Sequence, residues 1–330
     1  MTPQRNQQAP TTPLLNKGKR GVVFTMIAIS LATLLLALFI WTYTADVQSD
    51  LDIINLRVFY LNNFLNDLDE YIELALTVGS RNTLEAMSTY IKDNGYVADA
   101  QLAFHTCFLE GNITPGGPPC GLAYNNSAQR WLDEVQRHVA DTMKITFEYE
   151  FHNVTITQKY PFHLDVTLNA TVKLYDVFAT WNYTKIYNIS MPVEGLTDPG
   201  IIKEFSERRI IRRSPREITG IWGVPGLTEM YQNKEYRWFD EAPSFLERYE
   251  GNFTNSSCCG IETLINTSTL VTNKHNRSFT DYQLFKDLNF TCGEEVFSIT
   301  GFVDPSFQLD TEHLATFQIL ATRWSNATCP

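Results

Sequence analysis

Between Gly21 and Ala45 the chain carries no charged residue, and Val22–Tyr43 is almost wholly apolar. At ~1.5 Å per residue such a helix crosses a hydrocarbon core of ~30 Å. The pattern predicts one membrane-spanning helix over 21–45, ending in Trp41 and Tyr43, residue types that anchor helices at the interface. Beyond it, Leu51, Ile54, Val58, Leu61, Leu65, Leu68, Ile72 and Ala75 recur at alternating steps of three and four. This is a helical period, so the helix is expected to continue past the membrane. Ile53, Leu56, Phe59, Phe64, Leu74 and Leu76 add apolar groups outside that seam, which favours burial on a sheet over a two-stranded stalk. The seam still makes 51–75 a candidate contact for a homo-oligomer. Gly79-Ser80 is expected to end or bend the helix, and Leu84, Met87, Tyr90 and Ile91 mark a second short helix stopped by Asn94-Gly95. A further helix is expected over Ala128–Met143, with Trp131, Leu132, Val135 and Val139 on one face.

The period then changes from helical to two. Ile145, Phe147, Tyr149 and Phe151 alternate with Thr146, Glu148 and Glu150, and Leu164, Val166, Leu168, Ala170, Val172 and Leu174 alternate with polar partners. A third run, Val177, Ala179, Trp181, Tyr183, Tyr187, Ile189 and Met191, keeps the alternation. These are half-buried antiparallel strands. Asn169, Asn182 and Asn188 fall on their polar, solvent phase. Glu194-Gly-Leu-Thr-Asp-Pro199 closes the sheet region, and the chain beyond Pro199 is richer in Gly, Pro and Cys. The expected fold is α+β. A transmembrane helix extends into a long amphipathic helix packed on an antiparallel sheet, and an irregular, disulfide-containing α+β subdomain completes the chain. The expected divisions are a basic tail at 1–20, the span at 21–45, helices at 46–95, helix plus sheet at 96–198, and a Cys-containing subdomain at 199–330.

Charge gives the orientation. Arg5, Lys17, Lys19 and Arg20 precede the span without an acid, and Asp46 and Asp50 come directly after it, so the basic end is expected in the cytoplasm and the C-terminal bulk outside. Setting those four aside leaves 22 of the 26 basic residues against 37 acids, a net charge of −15 outside. Nucleic acid is therefore no expected partner. Twelve of the 23 asparagines head Asn-x-Ser/Thr sequons, all downstream of the span: Asn112, Asn125, Asn153, Asn169, Asn182, Asn188, Asn252, Asn255, Asn266, Asn276, Asn289 and Asn326. That density predicts a glycosylated surface protein. The six cysteines, Cys107, Cys120, Cys258, Cys259, Cys292 and Cys329, are expected to pair in an oxidising compartment, where fifteen full pairings exist. Cys107 and Cys120 flank a turn-rich Gly-Pro loop, so a local bridge is expected there. Cys258 and Cys259 are expected to send their sulfurs to Cys292 and Cys329, because a ring between neighbours is strained.

Two sets of residues carry a resemblance. Lys17-Gly-Lys-Arg-Gly21 followed by Val22-Val-Phe-Thr-Met-Ile-Ala-Ile resembles the class III signal of type IV pilin-like proteins. The resemblance implies cleavage next to Gly21 and Val22, and a helix that anchors before assembly and forms filament core afterwards. The early-helix Glu of bacterial major pilins is absent. Further on, Pro192-Val-Glu-Gly-Leu-Thr-Asp-Pro199, Phe245-Leu-Glu-Arg-Tyr-Glu-Gly251, Gly260-Ile-Glu-Thr-Leu264, Ser278-Phe-Thr-Asp-Tyr-Gln-Leu-Phe285 and Phe307-Gln-Leu-Asp-Thr-Glu-His-Leu314 are similar to ordered blocks in archaeal membrane-anchored, pilin-like surface proteins. That family carries no assigned activity, so the resemblance implies a place and an architecture and no catalytic residue.

Chemistry is sparse in the sequence. His105, His138, His152, His163, His275 and His313 show no i, i+4 pairing of a zinc hydrolase, and neither a phosphate-cradling glycine loop nor a Gly-x-Ser-x-Gly elbow occurs. His152 and His163 flank the first hairpin and are candidates to meet in space. Asp310, Glu312 and His313 suit the first turn of a helix. Arg208, Arg209, Arg212, Arg213 and Arg216 form a basic cluster. It reads either as a solvated face answering nearby acids or as a docking patch for an acidic polymer or a processing site. No catalytic, cofactor or metal residue is expected. The leading expectation is a single-pass structural or adhesion protein of the cell surface, its partners the bilayer and surface-layer, filament or glycan material. A membrane-tethered enzyme on surface glycans or peptides, or a ligand-binding ectodomain, is the alternative.

Overall fold

The computed structural model describes residues 17–121, 128–253, 256, 258–266, 279–285 and 296–326, with backbone alone at 17–25, 44–50, 128, 284–285 and 326. The chain divides into two compact units, Met1–Leu65 and Asn66–Pro330, so the stretches 96–198 and 199–330 share one unit. Helix α1 runs without interruption over Lys17–Asn94. Its stretch Met26–Tyr43 is long and apolar enough to cross a membrane, and none of that stretch is buried. Leu51, Ile53, Leu56 and Phe59 are exposed as well, whereas Leu68, Ile72, Leu76, Leu84, Met87 and Ile91 are buried.

The helix does not end at Gly79-Ser80. Glycine lowers helix propensity by only ~1 kcal/mol, and at this position it has a packing reason. A Cβ on Gly79 would stand 2.8 Å from the ring of Phe108, so the missing side chain admits that ring against the helix. Phe108 belongs to α2 (Ala100–Glu110), a helix the apolar period did not announce. Its ends were nevertheless written in the chain. Asp99 accepts from the Leu102 N–H as N-cap, and Gly111 closes it in the left-handed region. The Cys107–Cys120 bridge is formed as expected, with Asn112 paired to Pro119 across the loop.

The expected helix α3 (Ala128–Met143) is present, as are three long strands, β1 (Thr146–Tyr160), β2 (His163–Tyr175) and β3 (Thr180–Pro192). They form an antiparallel sheet in the order β1-β2-β3. Phe147, Val154, Ile156, Leu164, Val166, Leu168, Val172, Leu174, Tyr187 and Met191 are buried and share the inner phase. Side chains from α2 and α3 bond the backbone of edge strand β1: Gln101 accepts from Ile156 N–H, His105 bonds the Val154 carbonyl, and Gln136 donates to the Phe147 carbonyl. That covering protects an otherwise open edge. Asp69 of α1 accepts from the Tyr183 and Tyr187 hydroxyls and from Lys185 Nζ of β3.

After the sheet, elements become short. Helices α4 (Pro199–Phe205), α5 (Arg216–Thr219), α6 (Gly223–Asn233), α7 (Glu247–Glu250), α8 (Asp281–Phe285) and α9 (Thr311–Thr316) alternate with strands β4 (Tyr236–Trp238), β5 (Ile261–Ile265), β6 (Phe279–Thr280), β7 (Val296–Ile299), β8 (Gln308–Asp310) and β9 (Trp324–Asn326). Two three-stranded antiparallel sheets result, β4-β5-β6 and β8-β7-β9. Leu227, Met230, Leu264, Phe307, Leu309 and Phe317 form a common apolar core.

The cysteine expectation needs one correction. Cys258 and Cys259 are bridged to each other, and Cys292 and Cys329 lie outside the described residues. The chain bends at Cys258, and the two Cα atoms are 3.7 Å apart. Both sulfurs lie near the Gln158 carbonyl, at 3.5 and 3.4 Å, and Gln158 Nε2 donates to the Cys259 carbonyl.

If Gly79 is there for the Phe108 ring, Gly79→Ala should destabilise the detergent-solubilised chain by about 1–3 kcal/mol through overpacking, despite its better helix propensity. Thermal unfolding of the single variant and of Gly79→Ala with Phe108→Leu checks this, since the second change should return most of the loss.

Candidate functional site

The most concentrated chemistry in the molecule is a pair of buried ionic clusters built on β5. Its residues alternate in use: the Ile261 carbonyl accepts from Arg248 Nη2, the Glu262 side chain enters one cluster, and the Thr263 N–H donates to Asp281 in the other. All three positions are buried.

In the first cluster Arg248 of α7 donates from Nη1 to Asp198 Oδ2 at 2.8 Å and to Asp281 Oδ2 at 2.7 Å, and all three side chains have no exposure. Asp198 has a second duty as N-cap of α4, accepting from the Gly200 and Ile201 N–H groups, and the Tyr236 hydroxyl donates to its Oδ2 at 2.9 Å. Asp281 opens α8 and accepts from the Tyr282 N–H as well. Burial pushes the Asp281 carboxyl up, and although Arg248 opposes this, it reaches about 6. Burial alone would lower the Arg248 guanidinium, but Asp198 and Asp281 outweigh it and hold it above the ordinary arginine value.

In the second cluster Arg237 of β4 faces Glu262 of β5 in the strand register and donates from Nε at 2.5 Å. His313 of α9 sits between Glu262 (Nε2 to Oε2, 2.9 Å) and Asp310 (Nδ1 to Oδ1, 2.7 Å). Asp310 is also the N-cap of α9 and accepts from Gln283 Nε2. The Arg237 guanidinium lies over the rings of Phe317, Phe239 and Trp222, at 4.4, 5.1 and 5.8 Å, where cation–π attraction replaces part of its hydration. Burial would lower the His313 imidazole, yet Glu262 and Asp310 raise it to about 10. Glu262 is pulled below the usual carboxylate range, because Arg237 and His313 overcome its burial.

Asp198, Arg248, Glu262, Asp281, Asp310 and His313 each come from one of the five short sequence blocks that carry the second resemblance. Those blocks therefore meet in space. Capping explains Asp310 as expected, but His313 has a second partner, Glu262, 51 positions away. Sequence reasoning missed Arg237, Arg248 and Glu262. The available signal was an acid inside the apolar run Ile261-Glu-Thr-Leu-Ile265, and an arginine between aromatic residues.

The side chains of Arg248, Asp198, Asp281, Glu262 and His313 are wholly unexposed, so no outside molecule touches these five, whereas Asp310 keeps 23% of its side chain in solvent. Open clefts lie elsewhere. One of about 460 Å³ is lined by Tyr160, Phe162, His163, Arg213 and Trp238, and another of about 390 Å³ by Gln129, Asp133 and Tyr149. Among the described residues no group of three or more His, Cys, Asp or Glu side chains is placed to hold a metal ion.

The basic cluster is largely engaged. Arg209 is buried on Glu207, Arg208 meets Glu85, Arg216 meets Glu229, and Arg213 lies over the Phe162 ring. Arg212 is exposed. His152 bonds Thr171, whereas His163 stands at the hairpin end opposite Tyr160, so the two do not meet. Gly21 and Val22 lie within α1. Of the sequon asparagines, Asn153, Asn182, Asn188 and Asn252 are exposed and Asn112, Asn169 and Asn266 half-buried. Asn125, Asn255, Asn276 and Asn289 lie outside the described residues. Asn169 keeps its expected outer phase but is only half-exposed, because it stands on the central strand with a neighbour on either side. Comparison with known proteins finds no matching family model, curated protein or solved structure.

Replacing Arg248 by Met should cost about 3–5 kcal/mol, since two buried carboxylates lose their counter-charge. Denaturant unfolding should show a larger loss at pH 8 than at pH 5, where the Asp281 carboxyl, pushed up to about 6 by burial, takes up a proton. For His313 the folded value of about 10 lies above the ordinary 6.5, so its stabilisation is complete below pH 6.5 and is lost as pH rises towards 10. Thermal midpoints of the parent should fall across that window by several degrees more than those of His313→Gln, ~2–4 °C for each kcal/mol.

Proposed function

We propose that this chain is a glycosylated, single-pass surface protein with a structural or adhesive role, its basic N-terminal segment inside and its Asn66–Pro330 unit outside. The observation that carries the reading is the apolar stretch Met26–Tyr43, wholly unburied in the fold. A core helix of a soluble protein would hide such a stretch, whereas a bilayer would cover it. The basic residues before it, the acids after it and the twelve downstream sequons support the orientation. The bonds from Tyr183, Lys185 and Tyr187 to Asp69 support the finer reading that the outer part of α1 lies on the β1-β2-β3 sheet.

A non-enzymatic role is favoured over a hydrolase because the groups with the best-defined ionic partners, His313 and Glu262 among them, are enclosed in the core. The pilin-like form of the proposal, cleavage beside Gly21 with a minor subunit as product, rests on the resemblance of the Lys17–Val22 segment.

Protease added outside intact cells should remove epitopes beyond Ala45 and spare a tag placed before Arg5. Protection of the C-terminal part with digestion of the tag would reverse the orientation. Mass spectrometry of the mature N-terminus then separates an assembled subunit, starting at Gly21 or Val22, from a permanent anchor.

A further inference from the structure

The outer face of the β1-β2-β3 sheet holds four sequons, and their geometry is unequal. Because Asn-x-Thr in a strand places asparagine and hydroxyl two residues apart, both project from the same face. Asn153 with Thr155, Asn169 with Thr171, Asn182 with Thr184, and Asn188 with Ser190 share this face, as the pairings Asn153↔Asn169, Thr167↔Asn188 and Lys173↔Asn182 require. Asn153, Asn182 and Asn188 are on the two edge strands and exposed, together with Thr184 and Ser190.

Asn169 is on the central strand, directly opposite Asn153 on one side and Ile186 on the other. Its carboxamide oxygen is buried and has no hydrogen-bond partner. The hydroxyl of its sequon is also engaged: Thr171 is 8% exposed, and its Oγ1 lies 2.7 Å from both His152 Nε2 and Thr184 Oγ1. His152 occupies the irregular step between Phe151 and Asn153 in the β1–β2 register, and such a bulge re-aims a side chain across the face.

Cross-strand Cβ atoms stand about 4.5–5.5 Å apart, which is about the width of one sugar ring. Two glycans rooted at Asn153 and Asn169 would overlap from their first residues. Asn188 lies diagonal to Asn169, at roughly 7–8 Å, and crowds it from the other side. Asn153, Asn182 and Asn188 are separated from each other by two strands or by six residues along one strand, roughly 10–20 Å.

We infer that Asn153, Asn182 and Asn188 carry the glycans of this face and that Asn169 is a silent sequon, held bare by Asn153 beside it and by the His152–Thr171–Thr184 hydrogen bonds over its acceptor hydroxyl. The order of events does not matter. Sugar added to Asn169 before folding would have to fit the middle of the sheet, and afterwards the transferring enzyme would find Thr171 closed. The consequence is a sugar-covered outer face, closed to protein partners and leaving the edges of the unit for contacts.

This rests on the proposal of an exported glycoprotein, and glycopeptide mass spectrometry of the full chain from its native membrane tests the two separately. Sugar at Asn153, Asn182 and Asn188 with a bare Asn169 is the expected result. Sugar at Asn169, or bare edge sites while sequons outside the sheet are occupied, overturns the inference and leaves the glycoprotein reading standing. No sugar on any sequon overturns both. In Thr155→Ala, which removes the Asn153 sequon, the mass should fall by one glycan, and a gain at Asn169 would show that its own hydrogen bonds do not close it.

Discussion

A guanidinium moved out of water loses several kcal/mol of solvation, and it is tolerated only where carboxylates and carbonyls replace most of that solvent. Arg248 is in that position, enclosed with Asp198, Asp281 and the Ile261 carbonyl. Each partner is itself fixed by a backbone duty, Asp198 as the cap of α4 and Asp281 as acceptor of the Thr263 and Tyr282 N–H groups. The charge is thus satisfied only when α4, α7, α8 and β5 are all in place, and the adjoining Arg237–Glu262–His313–Asp310 series adds β4, β8 and α9. Short elements that would be marginal alone become conditional on one another.

The same logic reaches back to the long helix. Glu85 of α1 accepts from the Thr197 N–H and hydroxyl, immediately before the capping Asp198. Tyr249, next to Arg248, donates to the Leu84 carbonyl, and its hydroxyl lies 3.1 Å from that of Ser88. Polar bonds of this kind give the C-terminal end of α1 one position against the short elements, whereas the β1-β2-β3 sheet is ordered by an ordinary apolar inner phase. Two modes of stabilisation therefore coexist in one unit. The alternating sheet takes its order from apolar burial on one face, and its polar residues share the other.

Legibility in the sequence tracks that division. β1, β2, β3 and α3 were readable because their apolar residues keep one period over a dozen positions, and the Cys107–Cys120 loop because its turn residues leave no other path. Continuity through Gly79 was not readable, since the ring that needs the space comes from Phe108, 29 positions later. The small sheets were not readable either. Strands of two to five residues are too short to show alternation, and β5 is buried at every position, so its acid falls where a pattern expects a hydrophobe. Apart from His313 and Asp310, the ionic partners lie 25 to 51 residues apart, pairings that only the folded chain brings together. Cys258–Cys259 was misjudged for a simpler reason: strain in the small ring was taken to exclude a bridge that the structure forms.

The central claim is that buried charge locks the C-terminal elements into one cooperative body. Native-state hydrogen exchange read by mass spectrometry on the full chain in detergent tests it most directly. Peptides covering 197–202, 236–238, 247–250, 261–265 and 308–314 should exchange together, slowly, and with the same denaturant dependence. Exchange of any one of these segments at a distinctly lower free energy than the rest would contradict the account, because it would mean that the charges are satisfied without the whole network in place.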